Sequence, residues 1–409
     1  MRSNSLKIWV NIAILNLCIV ASLGVLMRSK MLFDMPWIDY NRLIETHGNF
    51  AFTGWVSLIL LALFVFELSG SLYKGTIYGW LLSGMALCSW ATLFTTPFAA
   101  THHFSEYISL LYILLTYVFA WRFISGIRKI VANKAIVMLS VSAILCLVLS
   151  SAGTIMLACL FSAKSLNAIL YRDALFGYLH LQYNGFFTLA VFAIIFNKID
   201  KKVTDKIRRR IYVFSMLLCL SILPSMFITF LWHDTNIAYH IVSIIGSLLL
   251  FSSLIAFLLT VFSLRHGFIL LKPVIRFLIF SSMAFFALKL LLQSLTIITP
   301  VNIFVFGDRP VIMGFLHLVF LGFVTLFIIA YLAQKGLLNI TKSFTRFALL
   351  VFTIAVILNE LLLMTQGLSE LFVIGTTFFP LLLWYVGILL LAGSLLVAIS
   401  RSSSGSLSR

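Results

Sequence analysis

Acidic side chains are scarce in this sequence. Twelve Asp and Glu stand against 29 Lys and Arg in 409 residues, and charged side chains make up only 10% of the chain. Soluble domains carry roughly 25% charge, so a soluble protein is excluded. Cysteine is scarcer still: Cys18, Cys88, Cys146, Cys159 and Cys219 lie singly inside apolar runs, with no Cys-x-x-Cys pair and no zinc-like spacing. They read as buried, inert thiols. No Gly-rich phosphate loop, His-Glu-x-x-His motif, paired catalytic carboxylates or Ser-His-Asp order is found, which leaves hydrolase chemistry without support.

What is abundant is apolar sequence, at 62% of the chain. Twelve apolar runs stand out, at 8–28, 48–72, 76–97, 105–123, 135–160, 174–196, 211–232, 237–264, 274–299, 310–332, 347–366 and 371–399. About 20 apolar residues cross a hydrocarbon core of about 30 Å. In lipid each backbone amide must be bonded within its own helix or in a closed barrel, and these runs are too apolar for barrel strands. The expected fold is all-α, a polytopic bundle of about twelve membrane helices. Residues 1–400 are expected to form a single domain, and Ser-rich 401–409 a disordered cytoplasmic tail. The first run, Ile8 to Met27, is longer than a signal core and lacks a small-residue cleavage site, so it is expected to stay in place as a helix.

Basic residues give the orientation. With the N-terminus inside, 22 Lys and Arg fall in inner segments and six in outer ones, with Lys289 left within the ninth run. The positive-inside rule then puts both termini in the cytoplasm. Such alternation explains the net charge of +17 by topology. A nucleic-acid partner would require a contiguous basic face instead. The stretch Asn197 to Arg210 carries seven of the inner charges and is expected to be a central loop against anionic headgroups.

Histidine carries the functional signal. On this topology seven of the eight histidines lie toward the outer side, and only His266 is inner. His180 follows Asp173 by seven residues and His317 follows Arg309 by eight, depths of about 10–12 Å at 1.5 Å per residue. Ionisable or ligating groups at such depth mark functional sites. A glycine follows each of four histidines: His47 and Gly54, His180 and Gly185, His240 and Gly246, His317 and Gly322. A small residue there lets a flat group or a helix approach the backbone. Imidazoles could hold haem iron, bind another metal or relay protons. Haem needs two facing nitrogens, an apolar slot and outer cations for its carboxylates. Phe52, Trp55, Phe315, Phe320 and Phe323 supply the apolar wall, and Arg42, Arg172 and Arg309 the cations.

Thr46-His47-Gly-Asn-Phe-Ala-Phe-Thr-Gly-Trp55 and Phe315-Leu-His317-Leu-Val-Phe-Leu-Gly322, on a twelve-helix frame, resemble the catalytic subunit I of haem-copper oxidases and nitric oxide reductases. The resemblance covers the chain in topology and only short motifs in sequence. It implies that His47 and His317 hold a low-spin haem b, with Gly54, Gly322, Arg42 and Arg309 around it. It also implies that His180, His233 and His240 could retain a second metal, copper or iron. Departures fall on that second centre. Phe315 stands where the family has a haem ligand, Trp232-His233 where it has a His-His pair, and Leu181-Gln182 follows His180 in place of Pro-Glu. The arginine pair expected between helices eleven and twelve is missing from Gln366 to Glu370. The oxygen-reducing centre is therefore expected to be degenerate, leaving electron transfer or gas sensing. The resemblance implies oxidoreductase chemistry, a cytochrome or quinol donor, other respiratory subunits, and a bacterial inner membrane. Lys289 and Glu360, lone charges at similar depth, are expected to pair or line a proton path; Gln182, Asn184 and Gln293 hint at a polar cavity. That midplane pair also supports a different reading, a secondary transporter. A third is a scaffold or assembly subunit without cofactor.

Overall fold

The computed structural model describes residues 2–68, 77–98, 101–233, 235–307, 309–371 and 377–402. Among them there is no strand, and twelve helices are long and apolar enough to cross a membrane. They are α1 (Ser5–Leu32), α2 (Tyr40–Leu68), α3 (Ile77–Thr95), α4 (Phe104–Ile130), α5 (Lys134–Ser162), α6 (Ala168–Lys202), α7 (Asp205–Phe230), α8 (Ile237–Ile269), α9 (Pro273–Leu295), α10 (Arg309–Gln334), α11 (Ser343–Ser369) and α12 (Phe379–Arg401). The expected tail beyond Ser402 lies outside the described residues. The polytopic helical bundle is thus observed, and apolar side chains such as Trp80, Leu87 and Phe280 are turned outward toward lipid. Cys159 is among the exposed residues and Cys219 is half-buried, which corrects the expectation that all five thiols are enclosed.

Helices outrun their apolar cores, because a helix continues through charged residues once its backbone bonds are running. α2 starts at Tyr40, where the Asp39 carboxylate caps it by accepting from the Arg42 amide at 2.9 Å. The same effect removes the long central loop expected at Asn197 to Arg210. α6 reaches Lys202 and α7 begins at Asp205, so the seven basic residues sit on two helix ends joined by a tight turn. Arg208 bridges that turn by pairing with Asp200 and Asp205.

Three helices form the middle of the bundle. Burial is continuous from Gly54 to Val65 in α2, from His180 to Ile194 in α6, and from Gly322 to Ala333 in α10. A helix buried on every side lies at the centre of its bundle. Each of the three changes from α- to π-helical winding just after its histidine, over Ala51–Ser57, Leu181–Phe187 and Leu318–Thr325. The π segment of α10 packs against both of the others. π segments occur preferentially at functional sites. Gly54, Gly185 and Gly322 each fall inside one of them, so the spacing read from the sequence marks these distortions.

A histidine-lined cavity as candidate functional site

Between α1, α2, α10, α11 and α12 lies a cavity with about 320 Å³ of room for water-sized spheres, within the usual range of small-molecule sites. His47 and His317 both line it. His317 lies two turns into α10, with Nδ1 at 2.8 Å from the Met313 carbonyl oxygen. A carbonyl only accepts, so Nδ1 carries the proton and Nε2 keeps its lone pair. His47 lies two turns into α2; its Nδ1 is buried without a hydrogen-bond partner.

The lower wall of the cavity is pinned. Trp55 Nε1 donates to Thr325 Oγ1 at 3.0 Å, joining α2 to α10, and the Phe52 and Phe320 rings meet with centroids 4.4 Å apart. Small residues keep the upper walls open. A Cβ on Gly48 would meet nothing within 4 Å, and one on Gly24 would stop 3.5 Å from His47 Cε1. Gly387 of α12 also lines the space. Gly54 and Gly322, expected as the cofactor's glycines, do not line it. A Cβ on Gly54 would strike Phe50 at 2.8 Å, and one on Gly322 would strike Phe285 of α9 at 2.9 Å, so these two serve helix packing.

Arg28 and Arg309 line the cavity, and among the described residues no acidic one does; Asp308, next to Arg309, lies outside them. Arg28 donates to the Leu383 carbonyl and to Asn359 Oδ1, both at 2.6 Å. Arg309 lies over the Tyr40 ring, 5.6 Å from its centroid. Arg42 is not part of the lining; its amide is spent on the Asp39 cap. Arg172 is turned away as well, donating to the Phe306 carbonyl and stacking 4.2 Å over Trp232. Sequence reading had missed Arg28, Tyr40, Gly24, Gly48, Asn359 and Gly387. Arg28 looked like a boundary charge, and its partners lie 331 and 355 residues away.

The three remaining candidate ligands are not brought together. His180 is fully buried, with Nε2 donating to the Ile222 carbonyl at 2.9 Å and Nδ1 accepting from Asn184 at 3.0 Å. His233 pairs with Asp173 at 3.0 Å, and Trp232 donates to the same carboxylate at 2.8 Å. His240 is exposed, 3.4 Å from Thr235 Oγ1. Among the described residues no group of three His, Cys, Asp or Glu could hold a metal. Aromatic rings pack beside His180 instead: Tyr183 lies against it, and Phe315 meets Tyr183 edge-on.

Lys289 and Glu360 do not pair. Glu360 is buried, accepts from Asn359 Nδ2 at 3.0 Å, and leaves Oε2 unpartnered. Lys289 is buried over the Phe286 ring, 5.7 Å from its centroid, and no ion pair reaches it among the described residues. Equal depth along two helices says nothing about facing, and here the two faces differ.

Compared with protein-family models and with curated proteins, the chain matches none.

Proposed function

We propose that the protein is a haem-binding integral membrane protein, a divergent relative of oxidase subunit I, whose α2/α10 cavity takes one b-type haem between His47 and His317. The observation that carries this reading is that two imidazoles from facing helices open into one apolar cavity bordered by two arginines. The residues fit the group. His317 offers Nε2 because its Nδ1 proton is held by Met313, a support that also raises ligand basicity. Arg28 and Arg309 match two carboxylates, while Phe52, Trp55 and Phe320 exclude water from the lower face. Gly48 leaves space for a flat ring.

A bis-histidine haem supplies a one-electron couple and does not readily bind oxygen. The function is therefore electron transfer, with a quinol or cytochrome as donor. Locked His180 and the aromatic fill beside it support a degenerate oxygen-reducing centre. The basic inner segments orient both termini to the cytoplasm, in a bacterial inner membrane.

The test is a reduced-minus-oxidised absorption spectrum of protein purified after haem-sufficient expression. A b-type band is expected, and each of His47→Ala and His317→Ala should remove it. A featureless wild-type spectrum overturns the reading.

A further inference from the structure

A second space lies between α2, α3, α4, α5 and α6, at the same end of the bundle as the histidines. It reaches Thr92, three residues from the end of α3, and has room for about 80 Å³ of water-sized spheres. Its lining differs in kind from that of the histidine cavity. Thr53, Ser89, Thr92, Thr116, Ser150 and Ser151 all line it, and each donates its hydroxyl proton to a carbonyl of its own helix at 2.6–3.0 Å. Each oxygen's lone pairs are therefore left as acceptors. Two donors already use them: Gln182 Nε2 binds Ser150 Oγ at 2.9 Å, and the Tyr117 hydroxyl binds Ser151 Oγ at 2.6 Å.

At the inner limit, Gln182 of the central helix α6 is only 7% exposed, and its Oε1 has no hydrogen-bond partner. An unsatisfied buried carbonyl costs about 1–3 kcal/mol. Dry cavities are apolar, whereas polar ones of sufficient size hold water. At about 15 Å³ per water centre, 80 Å³ accommodates about five waters.

We infer that this space is a water-filled vestibule, open on the histidine side, that brings water to Gln182 in the middle of the bundle. Nothing in this inference depends on haem.

Cys88 lines the vestibule and serves as its reporter. Two single-cysteine proteins are compared in oriented proteoliposomes, one retaining Cys88 and the other Cys146; both thiols are buried, but Cys146 packs against Gly185 and does not line the vestibule. Silver ion is added to one side, and the thiol left unreacted is counted by maleimide labelling after denaturation. Silver should block Cys88 at least about tenfold faster than Cys146 and faster from the histidine side, because thiol reactivity follows access. Ser150→Leu, which fills the space, should abolish the difference. If that variant fails to fold, the near-isosteric Thr92→Val removes one acceptor and should slow silver at Cys88. Equal rates for the two cysteines, faster blocking from the opposite side, or rates insensitive to the substitution overturn the inference.

Discussion

Helices α2 and α6 are built alike and end differently. Each is central, each carries a histidine, and each passes after it into a π segment containing a glycine. Yet His47 faces a cavity with its Nδ1 unsatisfied, while both nitrogens of His180 are held by α7 and by its own helix. The closed site is what folding produces when an imidazole has only protein to satisfy it. Against that internal standard, the open site is a departure. Under the proposed function, the open space beside His47, His317 and the two arginines is where the haem would sit.

The largest break in this comparison comes from exchanging the two sites in one experiment. His317→Ala should eliminate the b-type band, whereas His180→Ala should leave its height and position unchanged. Bound haem is read from the pyridine haemochrome per mole of protein. Loss of the band in both variants would mean that His180 belongs to the cofactor site after all.

Gly48 gives the next effect. Since a Cβ there meets open space, Gly48→Leu adds volume to the cavity without striking neighbouring backbone. Haem content should fall severalfold while the monodisperse elution profile is kept. The same substitution should be nearly silent in a protein that uses this space for nothing. Gly54→Leu, by contrast, runs into Phe50 at 2.8 Å already at its Cβ, and should destabilise the bundle first.

A smaller effect sharpens the closed side. His180→Ala leaves the Ile222 carbonyl and Asn184 without their partner, so unfolding in detergent should become easier by about 1–3 kcal/mol. An unchanged midpoint would show that water replaces the ring at little cost.

These contrasts also show which features one dimension carries. Twelve crossings follow from run length against bilayer thickness, whereas the pairing of His47 with His317 was implied only by the family resemblance, since depth does not say which helices meet. The glycine spacing was visible too, but its meaning was not: Gly54 and Gly322 mark π segments and contacts with Phe50 and Phe285. Arg28 was hidden for a different reason. A cation at the end of an apolar run has the same pattern whether it meets headgroups or an Asn359 on α11. Facing, unlike depth, is set by which helices touch, and that is long-range information. Lys289 and Glu360 fail as a pair for the same cause.

Lys289 provides the smallest and most discriminating test of that point. It is 1% exposed on α9, near an aromatic ring and far from any ion pair. A lone lysine in the middle of a membrane helix is expensive, by about 2.5–3.5 kcal/mol on insertion scales. An apolar side chain of similar length loses the ammonium's contact with the Phe286 ring, so replacement recovers only part of that figure. Lys289→Met should therefore raise the unfolding midpoint in detergent by the equivalent of about 1 kcal/mol, and should leave the b-type band intact. Were the variant less stable than wild type by a similar amount, Lys289 would have to be held by a partner, and the transporter reading built on a midplane charge would regain its footing. Glu360→Gln separates the cases further. Glu360 already shares Asn359 with Arg28, so its loss should be felt at the histidine cavity, as a shifted midpoint potential, and not at Lys289.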